Sequence, residues 1–258
     1  IRHALQNNSF SLYYQPIRDV ALSDYSTWHA ELLIRMINEK GEIIEPKHFV
    51  PAAERYHLMV DIDQWVVSHT LEVLPRLMEH VSPKRLVCAI NLSGQSLSDD
   101  HFLGFLVNKV EKLGLEPGSL CFEITETAAI ANFEHAQRFI SIMHGMGCTF
   151  ALDDFGSGLS SFAYLKHLSV DYLKIDGSFV RNISHDDTDY AMVNSIQQIG
   201  NVMGIKTIAE FVESPDIIQR LQSLGVNYMQ GREVGEPLPL DELLNTGHSE
   251  LSRANNAP

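Results

Sequence analysis

ALDDFGSGLSS, residues 151–161, ends an apolar run with two adjacent carboxylates and follows them with a glycine-rich turn. The apolar run predicts a buried β-strand, and Gly156 and Gly158 allow the chain to turn sharply away from it. Two neighbouring ionised carboxylates repel each other, and at the end of a buried strand they also lose hydration. We therefore expect cations to neutralise Asp153 and Asp154.

Further strands are predicted on both sides of this stretch. Amphipathic segments that predict helices separate them, such as residues 134–147 and residues 188–204, the second of which ends at Gly204. The first of these segments carries one apolar face, made of Ala136, Phe139, Ile140 and Met143. Strands that alternate with helices predict βαβ units and a parallel sheet. The strand-like runs are RLVCAINLS (85–93), LCFEITE (120–126), CTFALDD (148–154), VDYLKID (170–176), KTIAE (206–210) and VNYMQG (226–231).

The first third of the chain follows a different pattern. Two strand-like runs, residues 10–20 and 26–37, are joined by the short polar link ALSDY (21–25), which predicts an antiparallel pair. A long amphipathic helix is predicted over residues 60–80. Two strands in the pair and six afterwards make eight, so we predict an α/β fold: a modified TIM (β/α)8 barrel with one antiparallel strand near the N-terminus. We expect the barrel to occupy residues 1–245 and residues 246–258 to form a flexible polar tail.

Composition excludes several classes of protein. The chain has 33 acidic and 19 basic side chains, a net charge of −14 that disfavours binding to a polymeric nucleic acid. No apolar run reaches the roughly 18 residues of a membrane-spanning helix. The three cysteines lie in apolar runs without CxxC spacing, which indicates buried thiols and a cytoplasmic domain. Because the chain begins at Ile1 rather than at methionine, we expect it to be a piece of a longer protein.

Polar residues lie at the carboxyl ends of seven of the predicted strands. In a barrel these strand ends converge on one mouth, where active sites are built. A single acid at such a position is more often a loop residue or a helix cap, but capping does not explain the whole series. The residues are Glu31, Asn91, Glu123, Asp153 with Asp154, Lys174, Glu210 and Gln230.

The chemistry of this set is oxygen-rich. None of the 12 histidines falls in an HxH or HExxH arrangement, so zinc is not indicated. Carboxylates and an amide oxygen suit Mg²⁺ or Mn²⁺. Adjacent aspartates can hold two such ions with one carboxylate bridging them, an arrangement that activates water for an in-line phosphoryl displacement.

These residues also carry a resemblance to a known family. AELLIR resembles the signature of the EAL-domain family, bacterial phosphodiesterases that act on cyclic di-GMP. Further motifs match in order along almost the whole chain. They are YYQPI (13–17), AELLIR (30–35), HFVPAAE (48–54), INLS (90–93), FEITE (122–126), DDFGSGLSSFAYL (153–165), LKIDGSFV (173–180), IAEFVE (208–213) and QGREVGEPLP (230–239).

The resemblance implies a fold, a reaction and roles for individual residues. The fold is a modified TIM barrel with one antiparallel strand, and the reaction is Mg²⁺- or Mn²⁺-dependent hydrolysis of cyclic di-GMP to linear pGpG. One metal would be held by Glu31, Asn91, Glu123 and Asp153, and the second by Asp153, Asp154 and Glu210. Lys174 would hold the attacking water, so the residues that carry catalysis would be Glu31, Asp153, Lys174 and Glu210. The substrate contacts would be Gln15, Leu33, Arg35 and Gln230, while Glu126 would anchor the loop after Asp154 and Glu213 would support the site.

The chain departs from the family pattern at a few positions. Leu32 stands where alanine is commonest, Phe211 where glycine is usual, and Glu236 where a basic residue is common. We expect the bulk of Phe211 beside Glu210 to be able to shift that carboxylate. None of these departures removes a proposed metal ligand.

Three functions are compatible with the motifs. The first is an active cyclic di-GMP phosphodiesterase, and the second is a weak or inactive receptor domain for the same nucleotide. Such receptors typically lose the signature glutamate, an aspartate of the pair or the loop-anchoring acid, all of which are present here. The third, an unrelated dinuclear barrel hydrolase, does not explain the ordered motifs. The resemblance further implies a homodimer and an upstream sensor or GGDEF domain in the full-length protein.

Overall fold

Eight strands of the chain hydrogen-bond into a closed barrel in a computed structural model that describes residues 1–21, 26–81, 84–158 and 162–245. The strands are β1 (Phe10–Asp19), β2 (Thr27–Ile37), β3 (Ile43–Ile44), β4 (Arg85–Asn91), β5 (Leu120–Thr125), β6 (Thr149–Phe155), β7 (Tyr172–Ile175), β8 (Lys206–Ala209), β9 (Tyr228–Gln230) and β10 (Leu238–Pro239). The helices are α1 (Arg2–Gln6), α2 (Pro46–Arg55), α3 (Met59–Val81), α4 (Gly94–Leu97), α5 (Asp100–Leu113), α6 (Glu126–Ala131), α7 (Phe133–Gly145), α8 (Gly177–Val180), α9 (Asp187–Met203), α10 (Pro215–Leu224) and α11 (Leu240–Asn245), with a 3₁₀ helix at Phe162–His167.

The order around the barrel is β1-β9-β8-β7-β6-β5-β4-β2, and β2 pairs again with β1 to close it. Strand β1 is antiparallel to both of its barrel neighbours, whereas β2 and β4 to β9 pair in parallel. The predicted modified TIM barrel with one antiparallel strand is therefore confirmed. The short strands β3 and β10, which the sequence did not reveal, pair with β2 and β1 outside the ring.

The predicted helices form where the apolar spacing indicated them. Helix α3 covers the predicted long helix, and α9 begins after Asp186, whose side chain accepts hydrogen bonds from two backbone N–H groups. Helix α9 ends at Gly204, which adopts a left-handed φ of 72°. Helix α7 ends earlier than predicted, at Gly145, and the positive φ of 87° at Gly147 belongs to the turn that leads into β6.

The helices cover the barrel with one continuous apolar layer. The predicted face of α7 is buried, and its Phe139 ring packs edge-on against Phe122 of β5 and Phe150 of β6. The three cysteines are free and buried, as expected. None of the described helices is long and apolar enough to cross a membrane. The predicted polar tail, 246–258, and most of the link between β1 and β2 lie outside the described residues.

A layer of small and aromatic side chains fills the interior of the barrel below the mouth. Val87, Ala89, Cys121 and Ala151 pack together with Tyr172. The His29 ring lies between Tyr172 and Tyr228, with centroid distances of 5.7 Å to each. Burial lowers the pKa of His29 to about 3, so this imidazole is neutral and serves as a packing group.

Candidate active site at the barrel mouth

Strand alternation places the polar residues at one end of the barrel. Along a strand, residues two apart point to the same face. Glu31, Glu123 and Lys174 each follow by two residues a member of the interior layer: His29, Cys121 and Tyr172 respectively. The side chains that follow the filling layer therefore form the next layer up, at the carboxyl ends of the parallel strands.

Lys174 lies at the centre of this polar layer and is 1% exposed. Its ammonium contacts a carboxylate from each of four other strands or strand ends. The distances from Nζ are 2.7 Å to Glu123, 2.9 Å to Glu210, 3.2 Å to Asp153 and 3.3 Å to Glu31. One buried cation thus gathers four of the sequence-predicted site residues.

Amide side chains fix the position of Glu31. Asn91 Nδ2 donates to Glu31 Oε1 at 2.5 Å, and Gln230 Nε2 donates to Glu31 Oε2 at 2.7 Å. Gln230 Nε2 also lies 3.2 Å from Gln15 Oε1, and Gln15 pairs directly with Glu31 across β1 and β2. The signature glutamate is therefore held from both sides by residues of three other strands.

A strand irregularity brings Asp153 and Asp154 to the same site. In a regular strand these neighbours would point to opposite faces. The β6–β7 register shifts between Leu152 and Phe155, and Asp154 has a left-handed φ of 54°. As a result, Asp153, Asp154 and Glu210 each offer an oxygen atom, and these atoms lie within 4.8 Å of one another.

Negative charge exceeds positive charge in this layer. Burial opposes the charged form of Lys174, but the surrounding carboxylates outweigh it and raise the lysine pKa well above its ordinary value. Burial and then the charge of Glu31 raise the pKa of Glu123 well above the usual range. Burial raises the pKa of Glu210 to about 8, against the pull of Lys174 and with a further contribution from Asp153.

Two further acids, Glu31 and Asp154, respond differently to their surroundings. Burial tends to raise the pKa of Glu31, but the Lys174 charge and the hydrogen bonds from Gln230 and Asn91 bring it below its ordinary value. Burial, followed by the charge of Asp153, raises the pKa of Asp154 to about 6. Four carboxylates thus contact one ammonium, and a fifth, that of Asp154, lies within its field.

The donor set fits hard divalent cations. Two buried oxygens, Glu123 Oε1 and Asp153 Oδ1, have no hydrogen-bond donor, although Asp153 Oδ1 lies 3.2 Å from the ammonium of Lys174. Carboxylate oxygens without a donor, in a cluster where the pKa values of Glu123 and Glu210 are raised, indicate that positive charge is missing. All available ligand atoms are oxygens, which Mg²⁺ and similar ions prefer. This acidic cluster could therefore bind metal.

A cavity of about 750 Å³ opens next to the acidic cluster. Gln15, Leu33, Arg35 and Gln230, the sequence-predicted substrate contacts, all line it. Glu213 also lines the cavity; within the described part of the chain it makes no hydrogen bond or ion pair with the acidic cluster. The lining includes further residues that sequence reasoning missed, among them Tyr13, Glu45, Arg181, Arg232 and Pro237.

The bulk of Phe211 does not remove Glu210 from the cluster. Glu210 Oε1 stays 2.9 Å from Lys174 Nζ. Phe211 adopts a left-handed φ of 52°, the conformation in which glycine costs least, and it lines the cavity. Glu210 therefore remains part of the acidic cluster beside this bulky residue.

Glu126 links α6 to the segment that follows β6. Its carboxylate accepts hydrogen bonds from the Gly156 N–H at 3.0 Å and from the Tyr164 hydroxyl at 2.6 Å. Gly156 and Tyr164 stand on either side of residues 159–161, which lie outside the described residues. The capping of α6 is done by Thr125, whose hydroxyl accepts from Ala128 N.

The fold and the acidic mouth define the class: a (β/α)8-type barrel with an oxygen-rich site at the carboxyl ends of its strands. The chain belongs to the EAL domain family, whose profile matches residues 1–237.

Two curated relatives are cyclic di-GMP phosphodiesterases. The chain is 42% identical over 240 residues to PdeB of Shewanella oneidensis, covering 93% of this chain and 28% of that protein. It is 38% identical over 245 residues to PdeF of Escherichia coli, covering 95% of this chain and 32% of that protein. The chain thus spans about three tenths of the length of these relatives.

Solved structures agree in fold. The PaMucR phosphodiesterase in complex with c-di-GMP is 31% identical, with a TM-score of 0.86 and coverage of 94% of this chain and 97% of that one. The FimX EAL domain from Pseudomonas aeruginosa, bound to c-di-GMP, is 30% identical, with a TM-score of 0.84 and coverage of 92% and 94%.

Proposed function

We propose that this domain is a metal-dependent phosphodiesterase that hydrolyses cyclic di-GMP to linear pGpG. The observation that carries the proposal is the acidic cluster, four carboxylates in contact with one buried ammonium and Asp154 next to them, beside a cavity lined by arginines. The relatives named as cyclic di-GMP phosphodiesterases support the choice of substrate.

The placement of the oxygens supports the proposed metal ligands. Glu31, Asn91, Glu123 and Asp153 would hold one cation, and Asp153, Asp154 and Glu210 the second, with Asp153 shared. When bound, two Mg²⁺ or Mn²⁺ ions would activate water and stabilise both ends of an in-line phosphoryl displacement. Gln230 would keep Glu31 oriented through its 2.7 Å hydrogen bond.

The other residues would position the substrate and its charge. Lys174 would hold the attacking water and offset charge on the phosphate, a role that its raised pKa supports because the ammonium stays protonated. The guanidinium of Arg35 would contact a phosphate, together with Gln15 and Leu33 on the same wall. Glu213 would support the site from the cavity wall.

The test is incubation of the purified domain with cyclic di-GMP and Mg²⁺ or Mn²⁺, with pGpG followed by chromatography. We expect pGpG to accumulate, and an EDTA-treated sample to form none. Tight binding of cyclic di-GMP without pGpG under any of these ions would instead identify the receptor function. Absence of both binding and hydrolysis would contradict the phosphodiesterase function and the receptor function.

The proposed cellular setting follows from the family. We propose a cytoplasmic domain that acts as a homodimer and is joined, in the full-length protein, to a sensor or GGDEF domain. Ile130 on α6 is 44% exposed and lies one helical turn after Glu126, which supports a dimer surface near the loop anchor. Analytical ultracentrifugation of the wild type and of Ile130→Glu checks the dimer.

A further inference from the structure

Phe211 occupies a strained position on the wall of the cavity. Its φ of 52° is a region that bulky residues rarely adopt, and its side chain is nevertheless 46% exposed. Such conformations persist only where the surroundings fix them, and they cluster at binding sites. Packing alone does not explain a large aromatic residue here, because nearly half of its surface stays in solvent.

Two neighbours from one segment hold the ring in place. Gly177, the first residue of α8, lies so close that a Cβ atom at this position would overlap the Phe211 ring. Arg181, directly after α8, places its Cζ 4.0 Å from the centroid of the same ring. The aromatic ring and the guanidinium therefore form one unit, which we call the Phe211–Arg181 pair.

The charge of Arg181 remains available for a ligand. Within the residues that the structure describes, Arg181 forms no ion pair, and it lines the same cavity as Phe211. A guanidinium that has an aromatic ring but no carboxylate as its partner suits a ligand that is both planar and anionic.

The Phe211–Arg181 pair has a counterpart in the same cavity. Arg35 places its Cζ 5.1 Å from the ring centroid of Tyr13, and both residues line the cavity wall. Aromatic rings and arginine planes are the groups on which proteins stack unpaired nucleobases. A cyclic dinucleotide carries two bases, and the cavity offers two aromatic–guanidinium pairs.

We infer that the Phe211–Arg181 pair is a stacking platform that binds one purine base of the cyclic dinucleotide. This inference rests on the proposed function, and it makes Phe211 and Arg181 substrate-binding residues. Gly177 contributes by leaving the space that the ring fills.

The experiment compares four variants of the domain with the wild type. Phe211→Gly removes the ring and relieves the backbone, Phe211→Tyr keeps the ring, and Arg181→Gln removes the charge. Tyr56→Leu is the matched control, because Tyr56 is an aromatic side chain that is 63% exposed and does not line the cavity. The dissociation constant for cyclic di-GMP is measured by calorimetry in Ca²⁺, and KM, kcat and the half-saturating Mg²⁺ concentration by pGpG formation.

We expect Phe211→Gly to raise both the dissociation constant and KM about tenfold, as loss of one base–aromatic stack predicts, with less than about a twofold change in kcat. Arg181→Gln should act in the same direction, and Phe211→Tyr should restore binding to within about twofold of the wild type. The half-saturating Mg²⁺ concentration should not move, since Glu210 keeps its contact with Lys174. Tyr56→Leu should match the wild type.

Two results would overturn the platform. One is unchanged affinity in Phe211→Gly, and the other is a fall in kcat with a higher Mg²⁺ requirement, which would show that Phe211 only supports Glu210. The proposed hydrolysis is tested separately: binding that depends on Phe211 without any pGpG would reject the phosphodiesterase and leave the platform. Hydrolysis with the same KM in Phe211→Gly and in the wild type would support the phosphodiesterase and reject the platform.

Discussion

At the scale of single residues, Lys174 and the carboxylates around it have opposite effects on the metal-free protein. The lysine is the buried cation that four acids share, so it offsets their mutual repulsion. Burial, with a further contribution from the charge of Asp153, raises the pKa of Glu210 to about 8 and that of Asp154 to about 6. In the metal-free protein, the ammonium of Lys174 therefore stabilises the site, and the excess of carboxylates destabilises it.

The first prediction contrasts Lys174→Met with Asp153→Asn. Without its ammonium the cluster holds uncompensated buried carboxylates, so Lys174→Met should lower the free energy of unfolding in EDTA by about 3–5 kcal/mol. Asp153→Asn removes one like charge, and we expect its midpoint of thermal unfolding in EDTA to rise by about 2–4 °C, the equivalent of roughly 1 kcal/mol. Both variants should lose turnover by at least about 100-fold, because each loses several kcal/mol of transition-state stabilisation.

Thermal and urea unfolding in EDTA, with pGpG formation in Mg²⁺, provide the measurements. Equal destabilisation of Lys174→Met and Asp153→Asn would contradict the charge argument. Wild-type turnover in Asp153→Asn would contradict the site assignment.

At the scale of elements, carboxylates on two helices accept hydrogen bonds from the segments that follow two site-bearing strands. Glu126, at the start of α6, binds the segment after β6. Asp63 of α3 accepts hydrogen bonds from Ser93 N at 2.9 Å and from the hydroxyls of Ser93 and Ser96, each at 2.7 Å, in the turn after β4. Asn91 is the last residue of that strand.

The second prediction concerns the loop anchor. Glu126→Gln keeps the size of the side chain but weakens acceptance of the hydrogen bonds from Gly156 and Tyr164. We expect turnover to fall about 10-fold or more and the half-saturating Mg²⁺ concentration to rise, with a nearly unchanged midpoint of unfolding.

Thr125→Ala is the matched control for this anchor, because it removes the hydroxyl that caps α6. It should cost about 1 kcal/mol of stability and leave turnover intact. A reversed pattern, with Glu126→Gln less stable but fully active at saturating Mg²⁺, would make Glu126 a structural residue only.

The third prediction concerns Asp63 and pH. Burial raises the pKa of Asp63 to about 6, although Ser96 and Ser93 donate to it. The folded state therefore holds the proton more tightly than the unfolded state, so this stabilisation is complete below pH about 4 and is lost as the pH rises to about 6. Across that window the wild type should lose up to about 3 kcal/mol relative to Asp63→Asn.

Urea unfolding of both proteins at pH 4, 5 and 6 in EDTA measures this difference, and the other titrating groups cancel because both proteins contain them. A constant difference between the two proteins would show that the Asp63 pKa is not raised in the folded state.

At the scale of the whole molecule, a cation bound at the proposed site would connect that site to global stability. A ligand that binds only the folded state stabilises it by mass action. The strands that supply the acidic cluster also close the barrel, so a cation bound there would join β2, β5, β6 and the end of β8. The raised pKa of Glu210 also implies that cation binding releases protons.

The fourth prediction is that Mg²⁺ controls both activity and stability. EDTA should abolish turnover, and Mg²⁺ or Mn²⁺ should restore it. Ca²⁺ should support turnover poorly, since its larger radius and looser coordination suit this chemistry less. Saturating Mg²⁺, at about 100 times its dissociation constant, should stabilise the wild type by about 2.7 kcal/mol but not Asp153→Asn.

Calorimetric unfolding with and without Mg²⁺ checks the stability, and chromatography of pGpG checks the activity. Full turnover in EDTA, or the same Mg²⁺ stabilisation in Asp153→Asn, would count against the proposed ligands.

The barrel and the location of its site followed from the sequence because both depend on short-range patterns. Alternating apolar runs and helical spacing predicted the strands and helices, and side-chain direction along a strand repeats every two residues. Glu31, Glu123 and Lys174 could therefore be placed together at one mouth from the sequence, and the structure brings them into contact. Their roles as ligands and catalytic residues remain predictions.

Tertiary structure decided what depends on neighbouring strands and distant helices. The register shift beside β7 and the left-handed backbone at Asp154 turn two consecutive aspartates toward one site, against the alternation that the sequence implies. Phe211 leaves Glu210 in place because Gly177, more than thirty residues earlier, makes room for its ring. Contacts of this kind join residues far apart in the chain, so no local pattern of apolar and polar residues encodes them.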